Sequence, residues 1–166
     1  MQEIRFDNNG NLSPYEVIET DLQTFQNNFV GNMDNSEHRQ KLFDDYMKYT
    51  TDLIKIVSNS FYQWINGSYV TQKHTPKDID MVSFIDYSQI IGNEEELKNF
   101  LYPLSKEIYN VDAYIVKTYP DKDKNQIFSK SDTLYWLHHF QKTRPNKKGE
   151  KQYKGFIKID LNHENI

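Results

Sequence analysis

Apolar residues recur at steps of three and four in three stretches of the chain, which is the spacing of one buried helix face. The longest stretch follows Ser36, a residue that can cap a helix. The other two follow Asn93 and the pair Ser131 and Asp132, and the last ends before Pro145. The apolar positions are Leu42, Phe43, Tyr46, Tyr49, Leu53, Ile56 and Val57, then Leu97, Phe100, Leu101 and Leu104, then Leu134, Tyr135, Trp136, Leu137 and Phe140. This pattern predicts three helices that pack on a core.

The first 35 residues predict a helical extension that packs outside the sheet. Residues 13–16 combine a serine cap, a proline at the first helical position and an acid that can close a capping box. They favour a short helix that ends at about Thr20. A second helical stripe ends near Gly31, and its members are Leu22, Phe25 and Phe29.

Four shorter apolar segments are typical of strands. They span residues 61–65, 78–85, 111–116 and 155–161. Predicted helices separate the last three of these segments, so we expect an α/β (α+β) fold. A chain of 166 residues has room for one domain with one core. The prediction is a single domain over residues 1–166, in which residues 36–166 form the core.

Composition narrows the classes of protein. The chain has no cysteine, which leaves no disulfide framework and no thiolate metal site. It has no apolar run as long as a membrane span, and residues 1–10 are polar and carry two acids, unlike a signal peptide. We therefore expect a cytoplasmic protein that does not enter a membrane.

The charge of the chain is uneven. The total is −4, but residues 142–154 contain six basic residues and one acid, a net +5 that leaves −9 for the remainder. Such a segment is most often a solvated loop with extended lysines. Beside an acidic site, however, a basic loop can hold a triphosphate or an RNA backbone.

The candidate chemistry lies between the first two predicted strands. Gly67 permits a close backbone approach, and Ser68 offers an amide and a hydroxyl to a phosphate. Ten residues later, Asp78 and Asp80 are spaced to project from one face of a strand. Either feature alone is usually an ordinary turn or a solvent-facing strand. Together, in this order, they favour a site for a divalent cation and a nucleotide, with Mg²⁺ as the natural ion.

The segment from Gly67-Ser68 to Asp78-Ile79-Asp80 resembles the Gly-Ser…Asp-x-Asp signature of the DNA polymerase beta-like nucleotidyltransferase superfamily, especially its minimal, stand-alone bacterial members. Residues 11–14, 24–30 and 39–42 extend the resemblance to a little-characterised family of small prokaryotic nucleotidyltransferase-like proteins. The resemblance covers most of the chain. It implies a small mixed sheet with flanking helices, the nucleotidyltransferase fold.

The resemblance also implies a third carboxylate on a later strand. Asp112, near the start of residues 111–116, is the favoured position, and Asp160 in the last strand is the competitor. Lys73 and Lys77, together with His74, lie in the loop before the acids, where they can contact phosphates or simply face solvent.

On this resemblance, Asp78, Asp80 and Asp112 are expected to hold one or two Mg²⁺ ions, while Gly67, Ser68, Lys73 and Lys77 bind a nucleoside triphosphate such as ATP. The expected reaction moves a nucleoside monophosphate to a hydroxyl of a protein, an RNA or a small molecule and releases pyrophosphate. Two alternatives stay open. One is a non-catalytic nucleotidyltransferase fold that serves as an antitoxin or regulatory partner. The other is a toxin or phage-defence enzyme that modifies transfer RNA, which the basic loop favours.

Overall fold

Strands with apolar residues at alternate positions pair into one mixed sheet. The computed structural model describes residues 3–57 and 60–166. The strands are β1 (Arg5–Phe6), β2 (Leu12–Ser13), β3 (Val17–Glu19), β4 (Phe61–Asn66), β5 (Ile79–Asp86), β6 (Val111–Thr118) and β7 (Phe156–Leu161). The five-stranded sheet has the order β3-β7-β4-β5-β6, and β1 pairs only with β2. The pairs β3–β7 and β5–β6 are parallel, whereas β4 is antiparallel to both of its neighbours.

Helices cover both faces of this sheet. They are α1 (Leu22–Gln26), α2 (Ser36–Ile56), α3 (Tyr87–Ile90), α4 (Glu94–Leu97), α5 (Leu104–Tyr109) and α6 (Gln126–Phe140), with a π-helical turn at Asn27–Gly31 and a 3₁₀ turn at Lys98–Phe100. The expectation of an α+β fold with a small mixed sheet and flanking helices is confirmed. In the described residues, no helix combines the length and apolar character that crossing a bilayer requires.

The two faces of the sheet bury two separate clusters. Odd-numbered residues of β5, such as Met81 and Ile85, face the larger cluster under α2. Even-numbered residues, such as Val82 and Phe84, face a smaller aromatic cluster under α6. Because side chains alternate along a strand, Asp80 projects from the face that α6 covers.

The predicted strands and the long helix are confirmed. The strands at residues 61–65, 78–85, 111–116 and 155–161 correspond to β4, β5, β6 and β7 within a few residues. The helix after residue 35 also forms, and the apolar positions predicted for it are largely buried. Its N-cap is Asn35 rather than Ser36, and the Asn35 side chain makes no capping hydrogen bond.

The predicted helix from residue 13 to Thr20 is wrong, and so is the placement of the first 35 residues outside the sheet. Residues 12–13 pair with β1, and β3 forms the edge strand beside β7. Pairing with strands distant in sequence outweighs the local capping signal. The helical segment predicted to end near Gly31 does form, as α1 and the π-helical turn. Its Phe25 and Phe29 are fully buried in the larger cluster.

Two further helix boundaries differ from the prediction. The helix after Asn93 is broken into α4, a 3₁₀ turn and α5, because Pro103 lacks an amide hydrogen and disfavours a helical residue before it. The last helix begins at Gln126, not at Ser131 or Asp132. Its first turn exposes Ile127 and Phe128, so no buried stripe marks that start in the sequence.

Candidate functional site

Three polar side chains stand side by side on neighbouring strands at one end of the sheet. Asp80 of β5 is opposite Asn66 of β4 on one side and opposite Asp112 of β6 on the other. Neighbouring strands lie about 4.8 Å apart, so the two carboxylates are adjacent on the face that α6 covers. The structure therefore brings Asp112 beside Asp80.

Asp160, the competing third acid, lies elsewhere. It is opposite Tyr62 in the pairing of β7 with β4, four residues away from the Asn66 end of β4. Its side chain is exposed, and its carboxylate is 3.5 Å from Lys158 Nζ. The fold separates this carboxylate from the Asp80–Asp112 pair.

Gly67 closes the turn after β4 directly onto Asp80. Its φ of +75° is in the left-handed region that favours glycine. A Cβ at this position would lie 1.7 Å from Asp80 Oδ2. Glycine is therefore required at residue 67, both for the backbone conformation and for the approach to the carboxylate.

A buried arginine shapes the loop that follows. Arg39 of α2 is 1% exposed, and its guanidinium donates hydrogen bonds of 2.7–2.8 Å to the carbonyls of Tyr69, Thr71 and Lys73. A fourth bond of 3.1 Å reaches the carbonyl of Phe29. These bonds hold residues 69–73 in a fixed path, which brings Ser68 and Lys73 to the mouth of a cleft.

The predicted phosphate-binding residues and the Asp-x-Asp pair line this cleft together. Its volume is about 370 Å³, and its lining residues are Asn11, Gly67, Ser68, Thr71, Lys73, Lys77, Asp78, Asp80, Thr143, Arg144 and Lys154. His74 is not among them and instead borders a separate hollow beside Asn35 and Arg39. The cleft is lined by both cations and carboxylates, an arrangement suited to a metal-bound polyphosphate.

Two residues of the basic loop reach the acids. Lys154 is 5% exposed, and its Nζ donates a 2.9 Å hydrogen bond to the carbonyl of Gly67. Burial lowers the pKa of Lys154 to about 8, although Asp80 opposes the shift. Arg144 Nη2 lies 3.6 Å from Asp80 Oδ1, and the Arg144 side chain is largely exposed. The basic loop therefore places one buried and one exposed cation near the Asp80 carboxylate.

The electrostatics of Asp80 favour binding of a cation. Burial raises the pKa of Asp80 to about 6, and the nearby carboxylates of Asp78 and Asp112 add to the increase. Two adjacent carboxylates in a partly buried site repel each other until a cation neutralises them. A divalent ion would remove this penalty and favour the ionised form of Asp80.

Asp78 is engaged by a different partner. It lies immediately before β5, and its Oδ2 accepts a 2.6 Å hydrogen bond from Lys106 Nζ of α5. Within residues 3–57 and 60–166, no three His, Cys, Asp or Glu side chains are grouped so that they could hold a metal ion as they stand. Asp78 therefore already has a cationic partner, the Lys106 ammonium.

The donor set nevertheless fits Mg²⁺. Magnesium takes oxygen ligands and commonly uses only one or two protein carboxylates, with water and phosphate oxygens completing its shell. Asp112 Oδ1 and Asn66 Oδ1 are buried and lack a hydrogen-bond partner among the described residues. Buried oxygens without partners are costly, and a bound cation or its water ligands would satisfy them.

A second cleft opens on the Asp112 side of the acids. Its volume is about 280 Å³, and its lining residues are Asp80, Met81, Asp112, Tyr114, Tyr135, Trp136, His139, Phe140 and Arg144. Asp80 and Arg144 border both clefts. The carboxylates thus lie between a cationic cleft and an aromatic one.

Several residues at the site carry no distinctive local sequence signal. Asn66 is the last residue of β4, and only its position two residues after Trp64 indicates which face of the sheet it shares with Asp80. Lys106 comes from a short helix with no motif. The aromatic residues of α6 have helical spacing, which is also the pattern of ordinary core packing.

Comparison of the chain with curated proteins and with solved structures gives no match. A family model matches residues 4–160, which is nearly the whole chain and includes all three carboxylates and both clefts. The chain therefore belongs to the family described as the family of unknown function DUF6932.

Proposed function

We propose that this protein is a magnesium-dependent nucleotidyltransferase, which moves a nucleoside monophosphate from a nucleoside triphosphate to a hydroxyl acceptor. The observation that carries the proposal is the register of Asp80 with Asp112, combined with the Gly67 turn that closes onto Asp80. This arrangement puts two carboxylates next to a Gly-Ser turn at one end of a cleft. The resemblance to the polymerase beta-like signature points to the same chemistry.

The cationic cleft suits the triphosphate. Lys73, Lys77, Arg144 and Lys154 surround it, and together they can balance a charge of about −4. The Ser68 hydroxyl and the neighbouring backbone amides can donate hydrogen bonds to the outer phosphates. Lys154 is the firmest of these contacts because its side chain is buried and tied to the Gly67 carbonyl.

The three carboxylates would bind the metal, and one of them would accept a proton during the reaction. Asp78, Asp80 and Asp112 are the residues that would hold Mg²⁺, which, when bound, supplies charge neutralisation along the triphosphate. The acceptor oxygen forms a bond to the α-phosphorus, and the bond from that phosphorus to the bridging oxygen of the β-phosphate breaks. Pyrophosphate leaves, and Asp112 accepts the proton of the attacking hydroxyl. Because triphosphates and Mg²⁺ are abundant in the cytoplasm, the proposal includes a cytoplasmic location.

A transfer assay tests this function. The purified protein is incubated with α-labelled triphosphates, Mg²⁺ and fractionated cellular RNA, protein and small molecules, and label transfer is measured. We expect Asp80→Ala and Asp112→Ala to reduce transfer by about 100-fold or more. Asp160→Ala is the matched control, since it removes an exposed carboxylate of the same sheet away from the site. Transfer by Asp80→Ala at the wild-type rate would refute the proposal.

The Asp78–Lys106 ion pair favours one second candidate function. A carboxylate held by a lysine is not free to bind a metal, as expected for a nucleotidyltransferase fold that has become a non-catalytic antitoxin or regulatory partner. This candidate requires that the wild-type protein bind no triphosphate in the presence of Mg²⁺. Calorimetric titration with each triphosphate therefore separates the two functions.

A further inference from the structure

The aromatic cleft beside Asp112 has no role in binding the triphosphate as described above. Three of its rings, Tyr135, Trp136 and His139, come from consecutive turns of α6, and Tyr114 of β6 completes the wall. The cleft is near the lower end of small-molecule site volumes, so it can enclose about one nucleoside. A bound molecule there would lie on the opposite side of Asp80 from the phosphates.

The rings form a platform that is partly open to solvent. Tyr135 borders the hollow and is 61% exposed, so a ligand can reach its ring from solvent. Its ring is parallel to that of His139, with an interplanar angle of 6° and centroids 6.0 Å apart. Trp136 packs on Tyr114 at 4.8 Å, which fixes the inner wall. Rigid rings with one free face are suited to stacking on a planar ligand.

His139 is suited to the same role. Burial lowers the pKa of His139, and the nearby cations Lys151 and Arg144 lower it further. The imidazole is therefore neutral at pH 7 and presents an uncharged ring parallel to Tyr135. A neutral ring costs less to cover with an apolar ligand face than a cation does.

The polar groups around the platform indicate how a ligand would be oriented. Asp112 Oδ1 is buried at the cleft without a hydrogen-bond partner among the described residues, so it can accept a hydrogen bond from a ligand hydroxyl. Arg144 lines the same cleft with its Nη2 3.6 Å from Asp80 Oδ1, and it belongs to the basic loop, residues 142–154. The ligand thus carries a hydroxyl donor and, close to it, an anionic group.

We propose that the aromatic cleft binds the 3′-terminal nucleoside of a single-stranded RNA as the acceptor. The base stacks on Tyr135, the terminal ribose hydroxyl donates to Asp112, and the preceding phosphates contact Arg144 and the basic loop. This assignment rests on the proposed nucleotidyl transfer, because it adds the acceptor to the same acidic site. The ribose oxygen bonds to the α-phosphorus, Asp112 takes its proton, and pyrophosphate is the leaving group.

RNA is favoured over a peptide acceptor by charge and ring geometry together. Lys147, Lys148 and Lys151 of the basic loop are exposed and are not used for the triphosphate, so they provide a path for several backbone phosphates. Stacking on aromatic side chains tolerates any base, whereas a serine or threonine hydroxyl brings no planar ring and no peptide hydroxyl brings a chain of phosphates.

The test uses fluorescence anisotropy of a short, 5′-fluorescein-labelled single-stranded RNA with the full-length protein. Tyr135→Ala and Tyr135→Leu are both expected to weaken RNA binding by about tenfold, since stacking on one base is worth about 1–3 kcal/mol. Tyr135→Phe, which keeps the ring, should bind RNA like the wild type. The matched control is Leu134→Ala, because Leu134 is 63% exposed on the same helix but does not line this cleft.

A second arm tests the orientation. An RNA that ends in a 3′-phosphate should bind more weakly than the same RNA with a 3′-hydroxyl, because the phosphate would meet the Asp112 carboxylate. Replacing Asp112 with asparagine should reduce or remove this difference. Equal binding of the two RNAs by the wild type would overturn the assignment of the ribose hydroxyl to Asp112.

Calorimetry with Mg²⁺ and each triphosphate separates failure of this inference from failure of the proposed function. The expected result is that Tyr135→Ala keeps triphosphate affinity within about twofold of the wild type. If Tyr135→Ala instead weakens triphosphate binding, the ring contacts the donor base and the acceptor assignment is wrong. If Tyr135→Ala and Leu134→Ala bind RNA equally well, or the wild type binds no RNA, the inference is wrong while transfer to another acceptor stands. If RNA binding depends on Tyr135 but no triphosphate binds, the stacking cleft stands and nucleotidyl transfer fails.

Discussion

Replacing Gly67 with alanine should disable the acidic site while leaving the fold largely intact. The new methyl group would lie 1.7 Å from Asp80 Oδ2 and 2.7 Å from Asp80 Cγ, closer than non-bonded atoms approach. The backbone of residue 67 is fixed by the Arg39-held loop on one side and by β4 on the other. The Asp80 side chain must therefore move, and it would leave its position beside Asp112.

The structure sets the size of the two effects. A left-handed alanine costs about 1–2 kcal/mol, and each 1 kcal/mol lowers the melting temperature of a domain of this size by about 2–4 °C. The collision adds a displacement of Asp80 by more than about 1 Å, which for a catalytic group costs about 100-fold in rate. We expect Mg²⁺-dependent triphosphate binding to fall by at least about tenfold, far more than the loss of stability would cause.

Gly92→Ala separates the two effects. Gly92 has a φ of +86°, but nothing lies within 4 Å of a Cβ built there. It should therefore show the same small decrease in melting temperature and no loss of triphosphate binding. Calorimetry measures both quantities for both variants. If Gly67→Ala binds triphosphate as tightly as Gly92→Ala does, the contact between Gly67 and Asp80 does not position the carboxylate and the reasoning is refuted.

Three other substitutions have defined outcomes. Lys106→Met should tighten Mn²⁺ binding by about two- to fivefold, because Lys106 no longer competes with the metal for Asp78. Titration calorimetry measures the affinity, with Lys98→Met as the control because it breaks an exposed ion pair elsewhere. Weaker binding by Lys106→Met would mean that Lys106 orients Asp78 for the metal. Arg39→Met removes the hydrogen bonds to four backbone carbonyls and should lower the free energy of unfolding by about 3 kcal/mol. Urea denaturation measures this value, and an unchanged value would contradict the role of Arg39 in holding the loop. Burial and neighbouring carboxylates raise the pKa of Asp80 to about 6. Between about pH 4 and pH 6, the folded protein therefore holds a proton that the unfolded chain has already released. The free energy of unfolding falls as pH rises through this interval. Asp80→Asn should therefore raise the free energy of unfolding by about 3 kcal/mol at about pH 7.5 and by almost nothing at about pH 3.5. The same gain at both pH values would exclude the carboxylate charge as its cause.

The two central strands, β4 and β5, could be predicted from the sequence because the signals for them are local. The strands around the Gly67 turn and the Asp-x-Asp pair are short apolar runs with alternation, and that periodicity fixes which side chains share a face. The same argument placed Asp112 near the start of its strand. Its position opposite Asp80 depends on the register between β5 and β6, which the structure supplies.

The errors arose where pairing with distant residues decides the structure. Residues 17–19 form a strand because β7, some 140 residues later, offers an open edge. Lys154 reaches the Gly67 carbonyl across 87 residues, and no short pattern encodes that contact. By contrast, Pro103 was visible in the sequence, and its disruption of the helix after Asn93 follows from proline's missing amide hydrogen.

Binding of nucleoside triphosphates tests the central claim most directly. Each triphosphate is titrated calorimetrically, with and without Mg²⁺, into the wild type and into an Asp78→Ala, Asp80→Ala double variant. The account predicts that at least one triphosphate binds the wild type only when Mg²⁺ is present and that the double variant loses this binding. Absence of triphosphate binding by the wild type, or equal binding by the double variant, would contradict it.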